Sequence, residues 1–228
     1  MKAWLHIILC LSISLPVLGQ NALREAELLS QQHEYESSSK LCLEFVAAHP
    51  ERKYDLGRAW SLHSFNLLQQ GKTELARTAN EKSFDLRRQL RSPAITENYL
   101  RAAQIGMATK RYGDALAAAE QGMQMLIENP RIYADLNLYA AKALHKLGRF
   151  EEADAYFSTA RDVVLIEVGP RDGAYAELLY QGAMIQEERR AYAEAFTLLA
   201  TGYYAAQDPL FRSRLLMKAY EMYWRQQR

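Results

Sequence analysis

Five short segments of this 228-residue chain repeat one pattern at a spacing close to forty, and that recurrence limits the fold more than any other feature. The clearest copy runs Lys146-Leu147-Gly148-Arg149-Phe150-Glu151-Glu152-Ala153 and continues to Ala160. Its frame returns as Lys110-Arg111-Tyr112-Gly113-Asp114-Ala115 and as Arg190-Ala191-Tyr192-Ala193-Glu194-Ala195. Weaker copies are Gly71-Lys72-Thr73-Glu74-Leu75-Ala76 and His33-Glu34-Tyr35-Glu36-Ser37-Ser38. The small residue closing each copy sits at 38, 76, 115, 153 and 195, at intervals of 38, 39, 38 and 42. Sequence periods of this length belong to stacked-repeat architectures.

A second column tests that register independently. Twelve residues before each anchor stand Ala26, Ser64, Ala103, Ala141 and Ala183. Ala, Ser and Gly are about a quarter of the chain, so five small residues in five arise by chance roughly once in a thousand. Seven residues after the anchors come Phe45, Ser83, Gly122, Ala160 and Gly202, four of them small. Two antiparallel helices joined by a tight turn approach closely only where side chains are small. Gly71 and Gly148 suit the left-handed residue that ends a first helix, and His33, Lys110 and Arg190 fill the same slot less well. Pro50, Pro93, Pro130, Pro170 and Pro209 fall about once per period, near the start of each next first helix.

The glycine, the aromatic two residues on, and the alanines at helical spacing resemble the tetratricopeptide (TPR) repeat. The resemblance implies an all-α, right-handed α-solenoid of five TPR-like helical hairpins plus a C-terminal helix. The hairpins are expected at 22–49, 52–91, 94–129, 131–168 and 173–207, with the terminal helix at 210–226, in one repeat domain spanning 20–228. In that helix Ala219 takes the small-residue column, so it reads as the first half of a sixth unit.

The first residues point to an address. Met1-Lys2 is followed by an apolar run from Ala3 to Leu15, then by Pro16 and Val17-Leu18-Gly19, the pattern of a signal peptide cut before Gln20. The run is shorter than the ~20 residues a spanning helix needs. Export is therefore expected, with the protein periplasmic, secreted or held at the envelope. Cys10 leaves with the leader, and Cys42 remains as a lone thiol that forms no internal disulfide and reads as a small buried apolar residue.

Little catalytic chemistry is visible. Lys and Arg number 28 against 27 Asp and Glu, which removes the electrostatic footprint of a nucleic-acid binder. His33, His49, His63 and His145 are dispersed, with no zinc-binding spacing. Neither a phosphate loop nor a Gly-x-Ser-x-Gly elbow occurs. No metal, cofactor or enzymatic activity is expected.

The TPR resemblance places partner contacts on the inner, first-helix face. Carried onto this register, the groove positions are Arg58, Phe65 and Gln69; Gln104 and Met107; Lys142, His145 and Lys146; Tyr180, Met184, Glu187 and Glu188; and, on the last helix, Tyr220 and Tyr223. The strip has a cationic middle and an anionic continuation. It reads either as ordinary solvated helix or as a track for an extended peptide held by aromatic and charge contacts. On the second reading, reversing Lys142 and Lys146 weakens partner capture without lowering the melting temperature. The leading function is an exported protein–protein interaction scaffold for a protein or peptide partner. One alternative is the input region of a bacterial signalling protein, since the chain stops at Gln226-Gln227-Arg228, where a sixth second helix would begin. Another is a self-associating envelope protein, with Leu215, Leu216, Tyr220, Tyr223 and Trp224 forming a homo-oligomer contact.

Overall fold

The computed structural model describes residues 21–125 and 129–227, which form helices joined by short turns and contain no strand. The leader expected at 1–19, and residues 126–128 of the third hairpin, lie outside the described residues. In chain order the helices are α1 (21–31), α2 (Tyr35–Ala48), α3 (Lys53–Gln69), α4 (Thr73–Gln89), α5 (Ile95–Ala108), α6 (Tyr112–Met123), α7 (Pro130–Lys146), α8 (Phe150–Val168), α9 (Gly173–Glu188), α10 (Tyr192–Ala205) and α11 (Pro209–Gln226). They gather into two compact units, one ending at Lys110 and the other starting at Arg111, so the division falls in the turn of the third expected hairpin.

One turn is built repeatedly. His33, Lys110 and Arg190 adopt positive φ (65°, 59° and 62°), as do Gly71 and Gly148 (74° and 76°). After four of these five residues the next amide reaches back five positions: Glu34 N–H to Leu29 O (2.8 Å), Lys72 to Leu67 (2.9 Å), Arg149 to Leu144 (3.0 Å) and Ala191 to Gln186 (2.9 Å). This closes the last carbonyls of each first helix and reverses the chain in three residues. A side chain in the left-handed region costs about 1–2 kcal/mol, partly offset by the entropy a glycine adds to the unfolded chain. Arg190→Gly is therefore expected to raise stability by roughly 0.5–1 kcal/mol in a thermal melt. Entry into several first helices is fixed differently. Asn129, Asp172 and Asp208 accept amide bonds from the first turns of α7, α9 and α11, and Pro130 and Pro209 take the first helical position.

Both small-residue columns are interior. Ala26, Ser64, Ala103, Ala141 and Ala183 are fully buried, as are the anchors Ser38, Ala76, Ala115, Ala153 and Ala195. Where a column residue is serine, its hydroxyl donates to a carbonyl of the opposing helix: Ser38 Oγ to Ala26 O (2.6 Å) and Ser64 Oγ to Ala76 O (2.7 Å). Within each unit the helices pack mainly on their neighbours in the chain, most extensively within α3–α4, α7–α8 and α9–α10. Stability within each unit is thus shared between neighbouring helices.

The two units are built on different interiors. In the first, small apolar clusters (Leu23, Phe45, Leu56, Ala59; Leu67, Ala76, Ala79, Ile105) alternate with buried polar side chains. Fully buried Asn66 accepts from Ser30 Oγ and donates to Ser38 Oγ, both at 2.7 Å. Asn98 donates to Asn80 Oδ1 (2.9 Å), and Asn80 returns a bond to Asn98 O (3.0 Å). In the second unit one apolar cluster runs from Leu138 through Phe157, Leu179 and Leu199 to Leu215 and Met222.

Candidate functional site

In the first unit, the inner faces of α1, α3 and α5 enclose an open groove of about 540 Å³. Glu27 and Gln31 of α1 stand on one side, Tyr54, Arg58, Leu62 and Phe65 of α3 line the floor, and Glu97 and Arg101 of α5 stand on the other. Arg58 is held by Glu27 (2.6 Å) and, more loosely, by Asp55 (3.9 Å). The Phe65 ring is fixed by Tyr35, edge-on at 6.0 Å, and by the Arg101 guanidinium, 4.7 Å from its centroid. Arg101 also bonds Gln104, which ties that expected position to the groove wall.

Beneath this surface lies Arg87, which reaches through from the second helix α4 and is 5% exposed. Its guanidinium donates to Ala94 O (2.7 Å), Asn98 Oδ1 (3.0 Å) and Glu97 Oε2 (2.8 Å). A buried cation with all these partners is an organising group, since each bond fixes α4 against α5.

Of the positions expected from the TPR register, Arg58 and Phe65 line this groove, and Gln104 braces it from behind. Gln69 and Met107 lie at the C-terminal ends of α3 and α5, away from the lining. Tyr54, Leu62, Arg87, Glu97 and Arg101 were not anticipated. Arg101 and Leu62 stand one helical turn before positions already singled out, at 104 and 65, so helical spacing carried their signal. Arg87 had no such signal, because it belongs to a second helix.

The second unit treats its inner charges differently. Lys146 bonds Glu188 (2.6 Å), and His145 Nε2 approaches the same carboxylate at 3.0 Å. Glu187 pairs with Lys218 (2.7 Å) and Arg225 (3.0 Å) of α11. Lys142 donates to Gln181 of α9 (2.8 Å) and lies 5.0 Å from the Tyr139 ring centroid. The cationic middle and the anionic continuation are thus joined to each other across α7, α9 and α11. Burial holds the Lys142 ammonium below its usual range, opposed by Glu177, Asp135 and Glu188, and burial also lowers the His145 imidazole.

Lys142 is therefore part of the packing. Lys142→Glu would set a carboxylate among Asp135, Glu177 and Glu188. It is expected to lower the melting temperature by about 3–6 °C, not to leave it unchanged as the sequence alone suggested. Tyr180 meets Phe211 edge-on at 6.1 Å and lies under the Arg214 guanidinium at 5.1 Å. Met184 sits with Glu187 and Glu188 in a shallow recess at the ends of α9 and α11. Tyr220 and Tyr223 are exposed.

Burial pushes the Cys42 thiol up to about 12, with Glu27 adding to the effect. It is fully buried and protonated at neutral pH. Alkylation mapped by mass spectrometry is expected to reach Cys42 only after unfolding. Among the described residues no three His, Cys, Asp or Glu side chains are grouped to hold a metal. No described helix is long and apolar enough to cross a membrane.

No protein-family model matches the chain. No curated protein matches it. Among solved structures it is similar to TTC0263, a thermophilic TPR protein in Thermus thermophilus, with 20% identity, a TM-score of 0.68, and 87% of this chain and 97% of that chain covered. It is also similar to BtubC (BKLC) from P. vanneervenii, with 17% identity, a TM-score of 0.66, and 86% and 83% covered. Similarity at this level establishes the fold, and with the repeated turn and the buried columns it leads to one conclusion: the chain has the all-α helical-hairpin solenoid fold of tetratricopeptide-repeat proteins.

Proposed function

We propose that this chain is an exported, non-catalytic interaction scaffold that holds an extended segment of a partner protein along α1, α3 and α5. The observation that carries the proposal is the groove itself. Its aromatic and cationic groups are held in place before any partner arrives, Phe65 between Tyr35 and Arg101, and Arg58 by Glu27. Pre-set side chains lose little entropy on binding, and aromatic and arginine side chains dominate recognition surfaces. The inner face of the second unit fits this role less well, because its charges are already engaged with one another.

The test uses two exposed groove residues, Tyr54 at 60% exposure and Arg58. Tyr54→Ser with Arg58→Gln should leave the melting temperature nearly unchanged, since exposed substitutions usually fall within about 0.5 kcal/mol. Recovery of the partner from the native envelope, read by quantitative mass spectrometry, should fall at least tenfold. Equal recovery by both forms would refute the groove. For export, the form isolated from the envelope should begin at Gln20. A chain beginning at Met1 there would refute the leader.

A further inference from the structure

In the second unit α6 and α8 both pack on α7 and leave a crevice of about 630 Å³ between them. Glu120 and Met123 of α6 form one wall, Tyr156 and Thr159 of α8 the other, and Tyr133 and Asn137 of α7 the floor. No described lysine or arginine lines it.

Asn137 breaks the repeat register here. Sixteen residues before each turn anchor stand Ala22, Trp60, Tyr99, Asn137 and Leu179. Four repeats thus place an alanine, a leucine or an aromatic residue where this one places an amide. Asn137 is 2% exposed. Its Nδ2 donates to Tyr133 O one turn back (2.8 Å), and among the described residues its Oδ1 accepts from none. A buried acceptor without a donor is costly. This one belongs to the crevice floor, where a donor arriving from outside meets it.

Charge says which donor fits. Glu120 is the one acid among the described lining residues. The Tyr156 hydroxyl donates to it at 3.3 Å, a loose bond that leaves most of the carboxylate's acceptor capacity open. Burial, and then the Glu120 carboxylate, push the Tyr156 phenol up, so negative charge is sheltered in the crevice. Arg149, which opposes that effect, is clamped by Glu152 through two bonds (2.7 and 2.6 Å). One carboxylate is too few ligands for a metal ion, and no group of three His, Cys, Asp or Glu occurs among the described residues. An organic ammonium asks for less. Its N–H bonds go to a carboxylate and an amide oxygen together, while its charge and alkyl chain lie against aromatic rings and a thioether.

We propose that this crevice binds a primary alkylammonium group. Glu120 and Asn137 Oδ1 accept its N–H bonds, and Tyr133, Tyr156 and Met123 surround its chain. The group is supplied by a free amine or by the lysine of a partner segment, two sources with one chemistry.

Calorimetric titration of n-butylammonium chloride into the full chain should show saturable binding at neutral pH, and sodium n-butyrate should show none. Glu120→Gln should weaken butylammonium about tenfold or more, as loss of a hydrogen bond to a charged group does. Glu194→Gln, on α10, should leave it unchanged. Asn137→Leu supplies the residue that Leu179 provides in the next repeat. It should keep the melting temperature and weaken butylammonium about fivefold or more. Tyr156→Phe keeps the ring and frees Glu120, so it should bind at least as tightly as the wild type. A blocked pentapeptide with one lysine among glycines separates the sources. Affinity about tenfold above butylammonium assigns the crevice to a partner's lysine, and equal or lower affinity assigns it to a free amine. No saturable butylammonium binding would mean that the crevice holds water only. That result, equal affinity of the wild type and Glu120→Gln, or equally strong binding of butyrate would each overturn the proposal.

Discussion

Replacing Arg87 with alanine is expected to destabilise the first unit by about 3 kcal/mol, a large effect for one polar side chain. The guanidinium is 5% exposed and supplies the hydrogen bonds that Ala94 O and Asn98 Oδ1 receive from it. Deleting it strands the buried Asn98 Oδ1 at about 1–3 kcal/mol, removes the donor of the part-buried Ala94 O and opens a cavity where its aliphatic stem packed. Glu97, 43% exposed, loses a partner but keeps water, so the ion pair itself contributes little of the total. Asn98→Ala should show part of the loss, and the double variant less than the sum, because both act in one network. Hydrogen exchange locates the effect. Amides of α4 and α5 should exchange faster in the variant, while those of α9 to α11 keep wild-type rates. An even acceleration along the chain would mean that the network is not local.

The second large effect lies in the other unit and has an unusual sign. Glycine to alanine inside a helix normally stabilises by about 1 kcal/mol. Gly182, in the middle of α9, should do the opposite. A Cβ built there lies 2.1 Å from Phe157 Cζ and under 3.0 Å from both Cε atoms. The Phe157 ring is 7% exposed and surrounded by the main core cluster, so it cannot swing clear without moving its neighbours. Overpacking of this kind costs about 1–3 kcal/mol, and Gly182→Ala should be less stable by roughly 2 kcal/mol in denaturant titration. Phe157→Leu removes the ring that meets the new methyl. The double variant should then be more stable than the two single losses predict, by more than about 1 kcal/mol. Simple additivity would show that Gly182 serves something other than contact with Phe157.

Most of the fold was legible because small residues had to recur where helices cross. Ala26, Ser64, Ala103, Ala141 and Ala183 form a column fixed by sterics alone, and side-chain size is visible in a sequence. The turns were legible for a similar reason. Gly71 and Gly148 marked the left-handed position, and the aligned frame then extended it to His33, Lys110 and Arg190, which on composition alone would not suggest positive φ. What remained hidden depends on pairing across the array. The spacing of Lys142, His145 and Lys146 from Glu187 and Glu188 showed two patches of charge. That Glu188 takes Lys146 and meets the His145 ring of α7, and that Glu187 takes the cations of α11, follows only from how one helix lies beside the next. Arg87 was hidden for another reason. A second-helix arginine reads as solvated surface until the asparagines that bury it are seen. The division at Lys110 and Arg111 has no sequence mark either, since the turn there uses the same frame as the others.

The central functional claim is that a partner lies along the inner helices of the first unit. Its most direct test places a photo-activated cross-linking residue at Tyr54, in the groove, and separately at Leu75, which is 59% exposed on α4 and outside it. Irradiation in the native envelope should join the chain through position 54 to one contiguous segment of a partner protein, and position 75 should give no such product. Cross-links of equal yield from both positions, or from Leu75 alone, would contradict the claim.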